Sequence, residues 1–167
     1  MGAKIDYVAF LEKFDKKLDE YFKSQAVFVC CKKGCSACCE KGDYPLSETE
    51  LKYLMLGYSK LPNELKVLVQ KNVKSIKKGE SCPFLINKEC AVYNYRPIIC
   101  RVHGLAYLSN NIAKLPYCVN EGKNYSKVYK AGELLAEPIK ENLDTMEVLK
   151  EFDFGEIRNL CDWLSGS

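Results

Sequence analysis

Between Cys31 and Cys39 the chain places four thiols within nine residues, in the order Cys31-Lys-Lys-Gly-Cys35-Ser-Ala-Cys38-Cys39. Four further cysteines follow at Cys82, Cys90, Cys100 and Cys118. A chain of 167 residues with one histidine and no repeated knuckle hairpin has few reasons to concentrate sulfur in this way. The pattern predicts a thiolate site, built from distant segments, for a soft metal ion or a metal cluster.

A disulfide framework is the first alternative, because ten cysteines in a small secreted chain would ordinarily be cross-linked. Residues 1–23 lack the continuous apolar core of a signal peptide, and charged side chains interrupt them from Lys4 to Lys17. We therefore expect a cytoplasmic protein. In that compartment clustered cysteines more often bind metal or carry out redox chemistry than form disulfides.

Length and charge limit the fold and the partners. At 167 residues the chain is expected to form a single domain over 1–167, large enough to bury a core without covalent cross-links. A net charge of +3 is too small to predict nucleic-acid binding. No apolar run approaches the length of a membrane span. The expected partner is a metal ion or cluster, and a protein partner stays open.

Apolar periodicity predicts an N-terminal helix over 3–24 and a second helix that begins at a capping box, Ser47 with Glu50. A third helix is predicted from Pro62 to Gly79, where glycine ends it. The apolar stripe of the first helix consists of Tyr7, Leu11, Phe14, Leu18 and Tyr21, and that of the third of Leu65, Leu68, Val69, Val73 and Ile76.

The segment from Cys82 to Cys118 is less periodic and is broken by prolines, so we predict short helices and turns, with a hairpin around Asn110-Asn111. Helices are predicted again over 133–165. The fold class that follows is a small, mainly α domain. Its N- and C-terminal helices flank a loop-rich cysteine module at about 30–118.

Two geometries are open for the first cysteine group. In a helix, Cys31, Cys35 and Cys38 would share one face, with Cys39 at its edge. In a turn, Cys35-Ser-Ala-Cys38 would have the C-x2-C spacing of zinc knuckles and cluster loops. In both cases we expect the adjacent Cys38 and Cys39 to project in different directions, so that one of them serves a second site or packs.

The run Cys31-x3-Cys35-x2-Cys38-Cys39, then Cys82-Pro83-Phe84-Leu85, then Cys90-Ala-Val-Tyr93-x2-Arg96-Pro97-x2-Cys100-Arg101, resembles the CxxCxxCC family, described as a zinc- or iron-chelating domain. The resemblance spans roughly Cys31 to Cys118 and implies a metal or iron–sulfur centre, but no reaction. The implied metal ligands are Cys31, Cys35, Cys38, Cys39, Cys82, Cys90, Cys100 and Cys118.

The chain departs from the family pattern at its start, because three residues separate Cys31 from Cys35 and because Cys30 offers a competing ligand. Cys161 lies outside the matched region on an apolar helix face. Cysteine is among the residues most often buried, so we expect Cys161 to be a buried free thiol.

Thiolate ligation suits both zinc and iron–sulfur clusters. Structural zinc sites usually combine short paired chelate loops, whereas this chain has one C-x2-C and otherwise wide spacings. The spacing therefore favours a cluster slightly over zinc.

Arg96, Arg101 and His103 are the other candidate cofactor-binding residues. Guanidinium groups beside a negatively charged thiolate site would offset its charge and donate hydrogen bonds to sulfur. His103 is the one histidine that could serve as a base or a further ligand. No catalytic residue can be assigned.

Two functions are compatible with these motifs. The first is a metal-binding protein whose centre is structural, redox-active or carried for delivery. The alternative is an enzyme that uses the centre for group transfer, since flagellin lysine N-methylases carry a similar cysteine module. We favour the first, because the chain has no nucleotide-binding glycine loop and no serine hydrolase elbow.

Overall fold

The computed structural model describes residues 6–75, 80–130, 133–134, 148 and 152–166. The chain forms two compact units: unit 1 comprises residues 1–31 and 101–153, and unit 2 comprises residues 32–100 and 154–167. Each unit has an apolar core of its own. The expectation of a single domain over 1–167 stays a prediction.

The helices are α1 (Tyr7–Ser24), α2 (Glu48–Ser59), α3 (Asn63–Ser75), α4 (Ile98–Val102) and α5 (Leu160–Ser165). The strands are β1 (Pro45–Ser47), β2 (Leu85–Ile86), β3 (Glu89–Cys90), β4 (Tyr107–Ser109), β5 (Ile112–Lys114), β6 (Tyr129–Lys130), β7 (Glu133–Leu134) and β8 (Ile157–Asn159). They pair in antiparallel ladders of two, namely β1 with β8, β2 with β3, β4 with β5 and β6 with β7. The fold is mainly helical, as predicted. Within the described residues, no helix combines the length and apolar character that a membrane span requires.

In unit 1, α1 confirms the predicted apolar stripe, because all five of its members are buried. The helix begins where Asp6 caps it, with Asp6 Oδ1 accepting a hydrogen bond from the Val8 amide at 3.0 Å. Residues 3–5 of the predicted helix lie outside the described residues. Outside α1, the apolar core of unit 1 contains Ala106, Val119 and Tyr125.

The hairpin predicted at Asn110-Asn111 is confirmed by the pairing of β4 with β5. Both asparagines have a positive φ, 50° and 61°. A two-residue turn with positive φ at both positions matches the twist of the flanking strands, and asparagine tolerates that backbone better than most residues. A 3₁₀ helix at Tyr117–Glu121 follows the hairpin.

In unit 2 the predicted capping box is present at the start of α2 and is joined to a second helix. Glu50 is 1% exposed, and its Oε2 accepts hydrogen bonds from the Ser47 amide at 2.7 Å and the Ser47 hydroxyl at 2.9 Å. Its Oε1 accepts a hydrogen bond from the Ile98 amide at 2.8 Å. One buried carboxylate thus ties α2 to the first residue of α4, the helix that carries Cys100.

The third predicted helix forms as α3, which buries Val69 and packs Val73 against the same core. Leu68, predicted on this face, is 39% exposed. The predicted helix end at Gly79, with Ile76 before it, lies outside the described residues.

The C-terminal range 133–165 differs from the predicted helices where it is described. Glu133–Leu134 and Ile157–Asn159 are strands, whereas Val148 and Leu160–Ser165 are helical. The second strand is extended because it pairs with β1. Residues 135–147 and 149–151 lie outside the described residues.

We expect Glu50→Gln to lower the free energy of unfolding by about 1–3 kcal/mol, because an amide cannot accept hydrogen bonds at both of its terminal atoms. Chemical denaturation at a fixed metal concentration measures the change. Glu48→Gln is the matched control, since Glu48 lies in the same helical turn but is exposed in an i,i+4 pair with Lys52. That control should stay within about 0.5 kcal/mol of wild type. Equal losses in both variants would contradict the role assigned to the buried carboxylate.

Candidate metal centre

Unit 2 contains five thiols, one adjacent pair and three widely spaced cysteines, that lie near one another. They lie close enough for the charge of one to raise the pKa of another, as Cys38, Cys82 and Cys90 do for Cys100. These five, the five-thiol cluster, are Cys38, Cys39, Cys82, Cys90 and Cys100. All five belong to the set of eight implied by the family resemblance.

The first segment is a chain of turns and not a helix, which decides between the two predicted geometries. The Cys35 amide donates to the Lys32 carbonyl at 3.0 Å across a turn in which Gly34 has a φ of +90°. The Cys39 amide donates to the Ser36 carbonyl at 2.8 Å, and a short 3₁₀ helix, Cys39–Lys41, follows.

This tight turn brings the adjacent sulfurs together. Cys38 Sγ and Cys39 Sγ lie 4.0 Å apart, so the expectation that these side chains project in different directions is wrong. Two sulfurs bound to one tetrahedral zinc, with Zn–S bonds of about 2.3 Å, would lie about 3.8 Å apart. The pair is therefore already close to the separation that ligation of one ion requires.

Backbone contacts bring the other segments to this pair. The Cys82 amide donates to the Cys39 carbonyl at 2.8 Å, and the Ser81 hydroxyl donates to the same oxygen at 3.3 Å. Cys90 is positioned by the pairing of β2 with β3, in which it faces Leu85. Cys100 is positioned by α4.

The β2–β3 turn was not predicted from the sequence. Asn87 and Lys88 occupy it with φ values of 50° and 65°. The asparagine was the available signal, but a lysine follows it in place of the usual glycine.

Hydrogen bonding and burial set the protonation of the cluster. The Cys38 and Cys39 thiols share a hydrogen bond in which either sulfur could be the donor. This hydrogen bond lowers the pKa of Cys38 to about 7 and raises that of Cys39. Burial raises the pKa of Cys82 to about 12, and the neighbouring Cys90, Cys161 and Cys38 add to the effect. Burial also raises the pKa values of Cys90 and Cys100. Without metal the cluster therefore holds most of its protons at neutral pH.

Arg96 supplies a positive charge beside the cluster. Its Nε donates to the Tyr93 carbonyl at 2.9 Å, its NH1 donates to the Cys100 carbonyl at 3.3 Å, and its guanidinium lies 3.6 Å from the centre of the Tyr93 ring. Burial dominates the pKa values of Cys90 and Cys100, but the Arg96 charge opposes it in both. The Arg96 charge therefore favours the thiolate form of both cysteines.

Tyr44 is a neighbour of the cluster that the sequence did not reveal. Its hydroxyl donates to the Cys38 carbonyl at 2.7 Å, and burial followed by the nearby cysteine charges raises its pKa. No local motif distinguishes Tyr44 from a tyrosine in the core, so tertiary contact was needed to identify it.

The other two proposed cofactor-binding residues lie in unit 1. Arg101 is 9% exposed in its side chain and forms an ion pair with Asp15 of α1 at 2.5 Å. Burial lowers the pKa of His103 to about 4, so its imidazole is neutral at physiological pH. A neutral imidazole retains a lone pair for a metal or a proton.

The remaining cysteines differ in their surroundings. Cys35 is exposed in unit 2, whereas Cys31 and Cys118 belong to unit 1. Cys161 is half-buried, and a negative charge on it would raise the pKa of Cys82. It therefore lies near the five-thiol cluster.

The donor set can be tested against a metal. Five soft sulfur donors in one partly buried region suit zinc or an iron–sulfur cluster. Among the described residues, no group of three or more histidine, cysteine or carboxylate side chains is already arranged to hold an ion. The sulfur donors thus suit zinc or an iron–sulfur cluster in chemical type. To bind either one, the sulfurs would have to move closer together and release their protons.

Comparison with protein families found one match that covers this region. The family CxxCxxCC, described as "Putative zinc- or iron-chelating domain", matches residues 30–129. No curated protein and no solved structure matched the chain.

Titration of zinc into metal-free protein at pH 7 should release about three to four protons per ion if four cluster thiolates bind it. Cys82, Cys90 and Cys100 have raised pKa values and each give up close to one proton, whereas Cys38, with a pKa of about 7, gives up about half. Affinity should fall as the pH is lowered, because protons compete for the sulfurs. Calorimetry in buffers of different ionisation enthalpy counts the protons, and release of fewer than about two would contradict ligation by the buried thiols.

Proposed function

The chain belongs to the CxxCxxCC family, and on that basis we propose that it holds an iron–sulfur cluster or a zinc ion through the thiolates of unit 2. The centre serves a structural, redox or metal-handling role. Cys35 of unit 2 and Cys31 and Cys118 of unit 1 stay predicted metal ligands.

The observation that carries this proposal is the convergence of five thiols from separate segments of unit 2. A thiol with a raised pKa is otherwise inert, and packing alone gives no reason to place four of them beside Cys38. Burial also excludes water, which strengthens the attraction between a thiolate and a cation.

The charge balance supports the same conclusion. Four thiolates around a divalent ion carry a net charge of about −2. Arg96, fixed by two carbonyls and the Tyr93 ring, places one positive charge beside them. Such a group stabilises the metal-bound state more than the protonated thiols, which are neutral.

The choice between metals rests on the ligand spacing. The five thiols come from one adjacent pair and three widely spaced positions, whereas zinc tetrads usually come from paired short loops. We favour an iron–sulfur cluster on this ground. Elemental analysis for iron, zinc and acid-labile sulfide on protein purified without oxygen decides it. Iron with matching sulfide supports the cluster, and zinc without sulfide contradicts it.

Replacement of Cys82 or Cys100 by serine should abolish metal retention after gel filtration and lower the melting temperature, because metal binding contributes directly to folding free energy. Cys161→Ser is the matched control: it removes a half-buried thiol of the same unit that lies outside residues 30–129. Its metal content should equal that of wild type. Equal metal loss in all three variants would overturn the ligand assignment.

One observation favours the enzyme alternative. A cavity of about 430 Å³ in unit 2 is lined by Cys90 together with Lys60, Tyr93 and Asn94. This volume lies within the range of small-molecule sites.

An open coordination position would distinguish the two functions, since catalytic metal sites keep one and structural sites do not. Addition of azide to cobalt-substituted protein should leave the visible spectrum unchanged if the centre is structural. A new charge-transfer band would support the enzyme.

A further inference from the structure

In unit 1 a single buried amide contacts two adjacent thiols. Asn124 is 1% exposed, while Cys30 and Cys31 are exposed at the end of the segment that follows α1. Asn124 Nδ2 lies 2.9 Å from Cys31 Sγ, and Asn124 Oδ1 lies 3.0 Å from Cys30 Sγ.

Backbone partners fix which end of this amide carries the oxygen. The Cys30 amide donates to Asn124 Oδ1 at 2.9 Å, and Asn124 Nδ2 donates to the Gly104 carbonyl at 2.8 Å. If the amide were flipped, its oxygen would face a carbonyl and its NH₂ group would face an N–H. Neither contact is a hydrogen bond, so one orientation is selected.

The two sulfurs therefore have opposite hydrogen-bonding roles. Cys31 Sγ accepts an N–H hydrogen bond, which the sulfur can keep when it releases its proton to solvent and binds a metal ion as a thiolate. Cys30 Sγ faces a carbonyl-type oxygen and needs its own proton to bond there. A metal-bound Cys30 sulfur carries no hydrogen and so could not keep this contact with Asn124 Oδ1 as a hydrogen bond.

Gly104 leaves space for Cys31 Sγ. It has a φ of +98°, a conformation that side chains rarely adopt, and a Cβ at this position would collide with Cys31 Sγ. Asn124 binds the carbonyl of this same glycine. The backbone and the amide together hold Cys31 in place.

We infer that Cys31, and not Cys30, is the metal ligand of this pair, and that Asn124 is the positioning residue that selects it. The inference rests on the proposed function, because it assumes that the chain binds a metal. It resolves the choice left by the sequence, in which Cys30 and Cys31 stand side by side.

The first test needs no variant. Full-length protein, with and without zinc, is treated with iodoacetamide, and fragment-ion mass spectrometry measures the alkylation of each cysteine. We expect zinc to protect Cys31 and to leave Cys30 as reactive as in the metal-free protein. Protection of Cys30 with Cys31 left reactive, or protection of both, would overturn the inference.

Variants test the role of the amide. Asn124→Asp places an oxygen where Cys31 now meets an N–H, and should weaken zinc affinity by about 10- to 100-fold. Asn120→Asp is the matched control, because Asn120 is exposed in the same unit; it should bind zinc like wild type. Cys31→Ser should weaken binding and Cys30→Ser should not.

The outcomes separate the two proposals. If wild type binds neither zinc nor iron, the proposed function fails. If wild type binds metal and Asn124→Asp or Cys31→Ser binds it equally well, the proposed function stands and this inference is wrong.

Discussion

The arrangement of unit 2 depends on one buried carboxylate. Glu50 accepts hydrogen bonds from Ser47 and from Ile98, and so ties the start of α2 to the start of α4. A buried carboxylate is costly unless its oxygens are hydrogen-bonded, and here both oxygens accept backbone amides. The position of Cys100, two residues into α4, follows from this anchor.

The five-thiol cluster then reflects a balance between burial and charge. Burial raises the pKa values of Cys82, Cys90 and Cys100, so the metal-free cluster keeps its protons. Two interactions have the opposite effect on Cys38: its hydrogen bond with Cys39 and the nearby Arg96 charge both lower its pKa. A bound cation would neutralise the thiolates that burial otherwise disfavours. Metal binding and proton release are therefore coupled.

Local patterns predicted much of the secondary structure. The stripe of α1, the Ser47–Glu50 capping box and the Asn110-Asn111 hairpin are confirmed, because each depends on contacts between residues a few positions apart. The strand at Ile157–Asn159 was missed because its pairing partner, Pro45–Ser47, lies more than a hundred residues away. The expectation that Cys38 and Cys39 project in different directions was wrong, because the turn that contains them places their sulfurs 4.0 Å apart.

The sequence by itself determined the chemistry: ten cysteines, the ordered cysteine blocks and the arginine among them are enough to indicate thiolate ligation of a soft metal. Only the tertiary structure decided that the Cys38 and Cys39 sulfurs lie together and that Tyr44 and Arg96 bind the carbonyls of Cys38 and Cys100. It also decided that Asn124 accepts a hydrogen bond from Cys30 and donates one to Cys31. The physical reason is the distance along the chain between the residues that make these contacts. Residue type fixes what an atom can bind, whereas the direction of a hydrogen bond and the distance between sulfurs depend on contacts between segments far apart in the chain.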